Sequence, residues 1–351
     1  MKKAIKVILG IIIALILLFA VWLVVLTVTE FKPDDVEDAE ITSQATGILS
    51  IGDEVKIMTW NLGYGALGDN ADFFMDGGKG VMTASKDRVS ENMSGILSAI
   101  RDISPNIAMF QEVDINSMRS HGVDEADYLR RNLDGMDDSF AYNYRSLFVP
   151  YPIPPIGLVN GGVYTMSDYS IAEAKRYALP SPYSWPLSLG NLKRCIVVNR
   201  IPISDSDKEL VIVNLHLEAY DSGEGKIAQT NMLKEILNEE AEAGNYIVAG
   251  GDFNQIFSNV DSDFEVYDGM WQPGMIDVAD FEGWQLVMDG TTPSCRSLDK
   301  PYVDADKDSF QYYIIDGFIV SSNIKIESVN TKNLDFENSD HNPVVMTFKF
   351  E

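Results

Sequence analysis

Several apolar runs in this 351-residue chain end in residues able to handle a proton, a metal ion or a phosphoryl oxygen. The run 55–60 closes on Trp60-Asn61-Leu62-Gly63, 106–110 closes on Gln111-Glu112, and 209–217 carries Asn214 and His216. Further on, 246–250 closes on Gly251-Asp252-Phe253-Asn254, and 312–320 holds Ile315-Asp316-Gly317. The last apolar run follows Ser339-Asp340-His341-Asn342-Pro343. Singly these are weak signals, since Asn and Asp after a strand usually form turns and a histidine in an apolar run is usually a satisfied core residue. Together they gather carboxylates, amides and two of the chain's three histidines at strand ends, where α/β domains place function. Oxygen-rich donors without a cysteine or multiple-histidine cluster suit Mg²⁺ or Ca²⁺ better than zinc, and no H-E-x-x-H motif is present.

The elements that must carry these residues alternate between short apolar strands and amphipathic helices. A helix is expected around 86–101, with Val89, Met93, Ile96, Leu97 and Ile100 on one face, Ser85 as its N-cap and Pro105 beyond its end. Together with strands 55–60 and 106–110 it makes a strand-helix-strand start. Strands at 161–166, 195–201, 209–217, 246–250, 318–320 and 344–350, and a helix over about 227–242, continue the theme. The mixture implies an α/β domain with mixed sheets. The proline-rich YPIPPIG, 151–157, reads as an extended, stiff loop.

Ahead of that domain, the uncharged run 7–28 is long enough, at about 1.5 Å per residue, to cross a ~30 Å hydrocarbon core. It exceeds a signal-peptide core and lacks a small-x-small cleavage site, so it reads as an uncleaved anchor. Lys2, Lys3 and Lys6 precede it and an acidic stretch follows, which puts the N-terminus in the cytoplasm and the rest outside. The expected organisation is a basic tail at 1–6, a transmembrane anchor at 7–29, an acidic linker at 30–53 and a catalytic domain at 54–351. A net charge of −26 works against non-specific binding of a polyanion. Cys195 and Cys295 are too few for a disulfide scaffold, though they leave one bridge open.

In their order along the chain, these motifs resemble the endonuclease/exonuclease/phosphatase superfamily. That group includes deoxyribonuclease I, abasic-site endonucleases, neutral sphingomyelinases and inositol polyphosphate 5-phosphatases. The resemblance covers residues 55–350 and implies a four-layer sandwich of two mixed β-sheets flanked by helices, here preceded by one transmembrane helix. It also implies metal-assisted in-line attack of water on phosphorus. Glu112 is the leading ligand for Mg²⁺, with Mn²⁺ or Ca²⁺ as substitutes, and Asn61 and Asp340 are ligands or positioners beside it. By the same resemblance Asp252 orients or deprotonates the water and Asn254 binds the pentacovalent centre. Asp316 then fixes His341 and raises its pKa, while His216 contacts a phosphoryl oxygen or the leaving group. Arg194, Arg296 and Tyr164 are candidate substrate contacts, with Asp168 an alternative to Tyr164.

Such motifs specify reaction class far better than substrate. A lipid or small-molecule phosphoester suits the anchor and the acidic charge, and implies a monomeric domain tethered to the membrane. An extracellular nuclease is the second reading, and an inactive tethered binding domain the third. A basic channel beside His216 and Arg296 would favour the nuclease, whereas an apolar rim would favour a lipid headgroup.

Overall fold

The structure is a computed structural model describing all residues except Met1, Asp205, Ser222 and Glu265. Helix α1, Lys2–Val28, stands at the N-terminus, and residues 3–28 are long and apolar enough to cross a membrane. After it come α2 (Lys86–Ile103), α3 (Glu125–Asn132) and α4 (Glu224–Glu242). The first sheet has seven strands in the order Ile324–Thr331, Val344–Phe350, Glu54–Asn61, Ile107–Asp114, Gly157–Ser167, Asp137–Val149, Glu40–Thr42. The second runs Val36–Asp38, Glu173–Ala178, Cys195–Ser204, Glu209–His216, Tyr246–Asp252, Asp316–Ser321, Trp284–Val287, with Leu49–Ser50 also pairing to Cys195–Ser204. Both sheets are mixed. Glu54–Asn61 pairs parallel with Ile107–Asp114, Glu209–His216 pairs parallel with Tyr246–Asp252, and their other principal neighbours are antiparallel.

Period-two alternation explains the layers. Ile57, Met109, Ile212, Val248, Phe318 and Met346 point between the sheets and form the central core. Their neighbours Met58, Ala108 and Phe110 face outward onto Val89, Met93, Ile96, Leu97 and Ile100 of α2, the expected helical stripe. On the far side, Val211, Val213, Ile247 and Ala249 meet Leu233, Ile236 and Leu237 of α4. Ser85 caps α2 by accepting from the Arg88 amide at 3.2 Å. The result is the four-layer α/β sandwich.

Several features depart from the sequence reading. Residues 30–53 do more than link, since three short strands in this stretch pair with Glu173–Ala178, Asp137–Val149 and Cys195–Ser204. Backbone pairing at a sheet edge needs few apolar side chains, so acidic composition concealed it. The YPIPPIG stretch is a compact turn over 152–155 rather than an extended run, with cis peptides at Tyr151-Pro152 and Ile153-Pro154. It closes a hairpin between Asp137–Val149 and Gly157–Ser167. Both cysteines are buried free thiols.

Phe318 is fully buried between the sheets. Phe318→Ala should cost about 3–5 kcal/mol of stability in urea unfolding of the detergent-solubilised chain. The same truncation at exposed Ile48 should change it by less than about 0.5 kcal/mol.

Candidate active site

Along the strands facing the central core, interior positions change from apolar to polar towards one end. Ile57 gives way to Thr59 and Asn61, Met109 to Gln111, and Ile212 to Asn214 and His216. Val248 likewise gives way to Asp252, and Phe318 to Asp316. Register then aligns them. Asn61 lies opposite Gln111, His216 opposite Asp252, and Asp252 opposite Asp316. Gln111 and Asn214 join the two sheets deep in this polar zone, with the Gln111 amide donating to Asn214 Oδ1 at 2.8 Å. Asn214 donates in turn to the Tyr164 carbonyl at 3.0 Å. Gly251 lets this rung close, because a Cβ there would lie 1.9 Å from the Leu215 carbonyl oxygen.

Asp252 is the hub. Its Oδ2 accepts from Asn61 Nδ2 at 3.1 Å and lies 3.5 Å from His216 Nε2 and 3.8 Å from His341 Nε2. Its Oδ1 accepts from the Asn254 amide at 2.9 Å. Asn61 Oδ1 is occupied by the Gly63 amide at 3.0 Å, which turns the Asn61 NH₂ towards the carboxylates. Asn61 thus faces Asp252, and Glu112 at 3.4 Å, as a donor, the orientation of a positioner rather than a metal ligand. Ser339 donates to the Asn61 carbonyl at 2.8 Å and Trp60 Nε1 donates to the His341 carbonyl at 2.8 Å, fixing the 339–343 segment against the first sheet. His341 Nδ1 lies 2.9 Å from Asp316 Oδ2. The Ser294 hydroxyl accepts the backbone amides of Ile315 and Asp316 at 3.1 and 3.2 Å.

Glu112 reaches the cleft through backbone geometry. Strand pairing shifts between Phe110 and Val113, and within that bulge Glu112 has φ 52°. Bulges re-aim side chains beside functional sites, and a non-glycine residue held there costs of order 1–3 kcal/mol. The Glu112 carboxylate lies 4.0 Å from His216 Nε2.

The two site histidines are driven apart electrostatically. Burial pushes His216 well below the usual imidazole range, and the positive charges of Arg194 and His341 push the same way. Burial also opposes charge on His341, but the Cys295 sulfur and the Asp316 carboxylate outweigh it and hold that ring well above the usual range. Opposed shifts of this kind separate a neutral donor from a cationic one. Burial raises Asp252, and the Asp316 charge adds to it. Burial pushes Asp340 up to about 6 against the pull of His341, with Glu112 adding a further push. Among the described residues, no lysine or arginine is ion-paired to Glu112, Asp252, Asp316 or Asp340.

Four carboxylates with no lysine or arginine partner fit a divalent cation. Ligand atoms lie within 4.8 Å of one another in two groups, Asp252-Asp316-His341 and Cys295-Asp340-His341. His341 Nδ1 is engaged by Asp316, and burial pushes the Cys295 thiol up to about 12. The carboxylates of Glu112 and Asp340, which accept only long bonds from Asn61 at 3.4 Å and Ser339 at 3.5 Å, are the remaining oxygen donors, and an ion that keeps most of its waters needs only one or two.

These residues line a cleft of about 520 Å³. A larger depression of about 1000 Å³, bordered by Arg88, Glu91, Asp102 and Lys332, contains none of them. Arg194 and Arg296 border the cleft, but their guanidinium groups already have partners. Arg194 Nε donates to Glu218 at 3.2 Å, and Arg296 donates to the carbonyls of Ser297 and Gly68 at 2.9 and 2.8 Å. Tyr164 requires correction as a substrate contact. Its position in the strand turns the ring away from the cleft into the core beneath α2 and α3, stacked on Phe110, with its hydroxyl on the Ala126 carbonyl. Asp168 also lies elsewhere, accepting from Asn106. Sequence reading missed Arg119, which lines the cleft, forms a two-pronged pair with Asp114 at 2.9 and 2.8 Å and lies 3.8 Å from the Tyr64 ring centroid. Its one signal was being an arginine in a polar stretch just after Glu112. Asp76, Tyr220 and Trp271, also in the lining, had none.

No family model and no curated protein sequence matches the chain. Solved structures do. An endonuclease/exonuclease/phosphatase protein from Beutenbergia cavernae superposes with TM-score 0.57 at 17% identity, covering 85% of this chain and 72% of the other. The human Nocturnin catalytic domain, solved with bound sulfate, gives 0.53 at 18%, covering 89% and 98%. A Bacteroides vulgatus endonuclease/exonuclease/phosphatase gives 0.54 at 16%, covering 85% and 100%. The chain has the endonuclease/exonuclease/phosphatase fold. That fold accounts for the order of the strand-end motifs along the chain.

Three variants test the geometry by urea unfolding. Glu112→Gly should be more stable than Glu112→Ala by about 1 kcal/mol, because only the glycine adopts this φ freely. Arg119→Ala should lose about 3–5 kcal/mol by leaving Asp114 buried and unpaired.

Proposed function

We propose that the protein is a metal-dependent phosphoester hydrolase, anchored by α1 with its basic N-terminus in the cytoplasm and its domain outside, acting on a lipid or small-molecule phosphoester. The observation that carries this reading is the convergence on Asp252 Oδ2 of Asn61, His216 and His341 within 3.8 Å, beside the carboxylates of Glu112 and Asp340, which have no lysine or arginine partner among the described residues. Mg²⁺, held by Glu112 and Asp340, would supply charge neutralisation at the phosphoryl or leaving oxygen.

The chain's own groups divide the remaining work. Asp252, oriented by Asn61 and by the Asn254 amide, takes the proton of the attacking water. Asn254 spends one amide hydrogen on the Leu217 carbonyl at 3.0 Å and has a second for an equatorial oxygen. His341, held by Asp316, presents Nε2 as a donor to the phosphoryl group, and His216 donates from the opposite strand. A lipid or small phosphoester is favoured over nucleic acid because Arg119, Arg194 and Arg296 are engaged by the chain's own acceptors. They offer no free basic track for a polyanion. The domain is proposed to act as a monomer.

The test is product release by the full chain in detergent from bis-p-nitrophenyl phosphate, sphingomyelin, phosphoinositides, DNA and RNA, with Mg²⁺, Mn²⁺, Ca²⁺ or chelator. Turnover should require metal and fall by about 10²–10³-fold or more in Glu112→Ala and His341→Ala. Metal-independent turnover, or full activity in both variants, would overturn the assignment. Preference for DNA or RNA would move it to a nuclease, and binding without turnover in any metal would favour a tethered binding domain.

A further inference from the structure

The exit of α1 is fixed to the wall of the cleft. Leu26 in its last turn is only 6% exposed, although most of the helix is bare. Trp185 Nε1 donates to Thr27 Oγ1 at 3.2 Å, and Glu30 accepts from Lys193 at 2.8 Å and Ser188 at 3.1 Å. Phe31 packs edge-on against Tyr142, with Arg145 and Arg176 over its ring. The segment 185–193 that receives the Thr27 and Glu30 contacts borders the cleft wall, since Tyr183, Leu192 and Arg194 line the cavity. The far side of one loop from the membrane helix is therefore the site.

Thr27 lies inside the apolar run 7–28, so its partner Trp185 sits level with the last membrane-embedded turn rather than above it. Trp185 is 56% exposed and Leu187 64%. The Leu187–Gly190 turn is bonded to the neighbouring hairpin, with Tyr144 donating to the Gly190 carbonyl at 2.8 Å and Ser146 to the Leu189 carbonyl at 3.1 Å. The tip of that hairpin carries Tyr151, 68% exposed, and Ile153, 93% exposed, and the Tyr151 ring packs on Phe74, whose neighbours Phe73 and Met75 line the cleft. Exposed aromatic and aliphatic side chains on two neighbouring loops, one of them bonded through its tryptophan to the last turn of α1, have the composition of an interfacial surface.

We propose that Trp185, Leu187, Tyr151 and Ile153 form a membrane-docking rim, seated at the headgroup–acyl boundary of the leaflet from which α1 emerges, so that the cleft opens onto the headgroup plane. The inference adds an interaction surface and a source of substrate to the phosphoesterase reading, on which the role of the cleft rests.

The test uses the full chain reconstituted into phosphatidylcholine vesicles with either ordinary or brominated acyl chains. The emission lost in Trp185→Phe isolates the Trp185 signal. It should fall by about half in brominated vesicles, and be protected from aqueous acrylamide, as expected for a side chain at the acyl boundary. The double variant Leu187→Glu, Ile153→Glu should weaken that quenching while turning over soluble bis-p-nitrophenyl phosphate at the wild-type rate. Trp185 quenched by acrylamide but not by brominated lipid would overturn the docking, as would protection from both, which would assign the rim to another protein. Absence of turnover of bis-p-nitrophenyl phosphate, sphingomyelin, phosphoinositides, DNA and RNA in wild type would defeat the phosphoesterase reading alone, leaving the quenching result to decide the docking.

Discussion

One rung of the second sheet holds the site together. His216, Asp252 and Asp316 occupy adjacent strands at matching positions, fixed by a parallel pairing on one side and an antiparallel one on the other. Because side chains alternate between faces, a slip of one residue in either pairing would send a site residue to the wrong side of the sheet. The register is held by the apolar residues below, where Ile212, Val248 and Phe318 share the central core. The hydrophobic interior thus does more than stabilise the fold, since it sets where two carboxylates and an imidazole meet.

The opposite sheet contributes through contacts of another kind. Asn61 and Glu112 leave neighbouring parallel strands, the former in regular extended backbone and the latter from a bulge. Ser339 and Trp60 then draw the last loop across to them. A site assembled from two sheets and a loop is preorganised by the sandwich as a whole, which limits the reorganisation left for the reaction itself.

The parts legible in the sequence obeyed a local rule. The α2 stripe is legible because every apolar residue in it meets one face of the sheet, and the strand-end motifs because polar residues interrupt apolar runs. Asp137–Val149 was not legible, although it is thirteen residues long. Asp137 and Asp138 open it with two adjacent charges, yet both are buried. Asp137 accepts the backbone amides of Gln44, Ala45 and Ile171, and Asp138 is gripped by Arg130. Such solvation by partners distant in sequence leaves no periodic trace. Tyr164 failed for a related reason, because the face its ring takes depends on register across a hairpin. Arg119 became a cleft residue only through the pairing with Asp114 and the approach to Tyr64.

The clamp at the helix exit has a consequence for how the domain searches. Glu30 and Phe31 join the helix to the domain through a salt bridge and an aromatic contact, with no free tether between them. In a bilayer such a domain cannot swivel, so its orientation to the surface is inherited from the tilt of α1. Encounters with a partner in the same bilayer would then be lateral, governed by diffusion within a plane and by local surface density. Bulk concentration would matter little to a reaction partner that shares the plane, and bilayer thickness, by tilting the helix, would alter how squarely the cleft meets it.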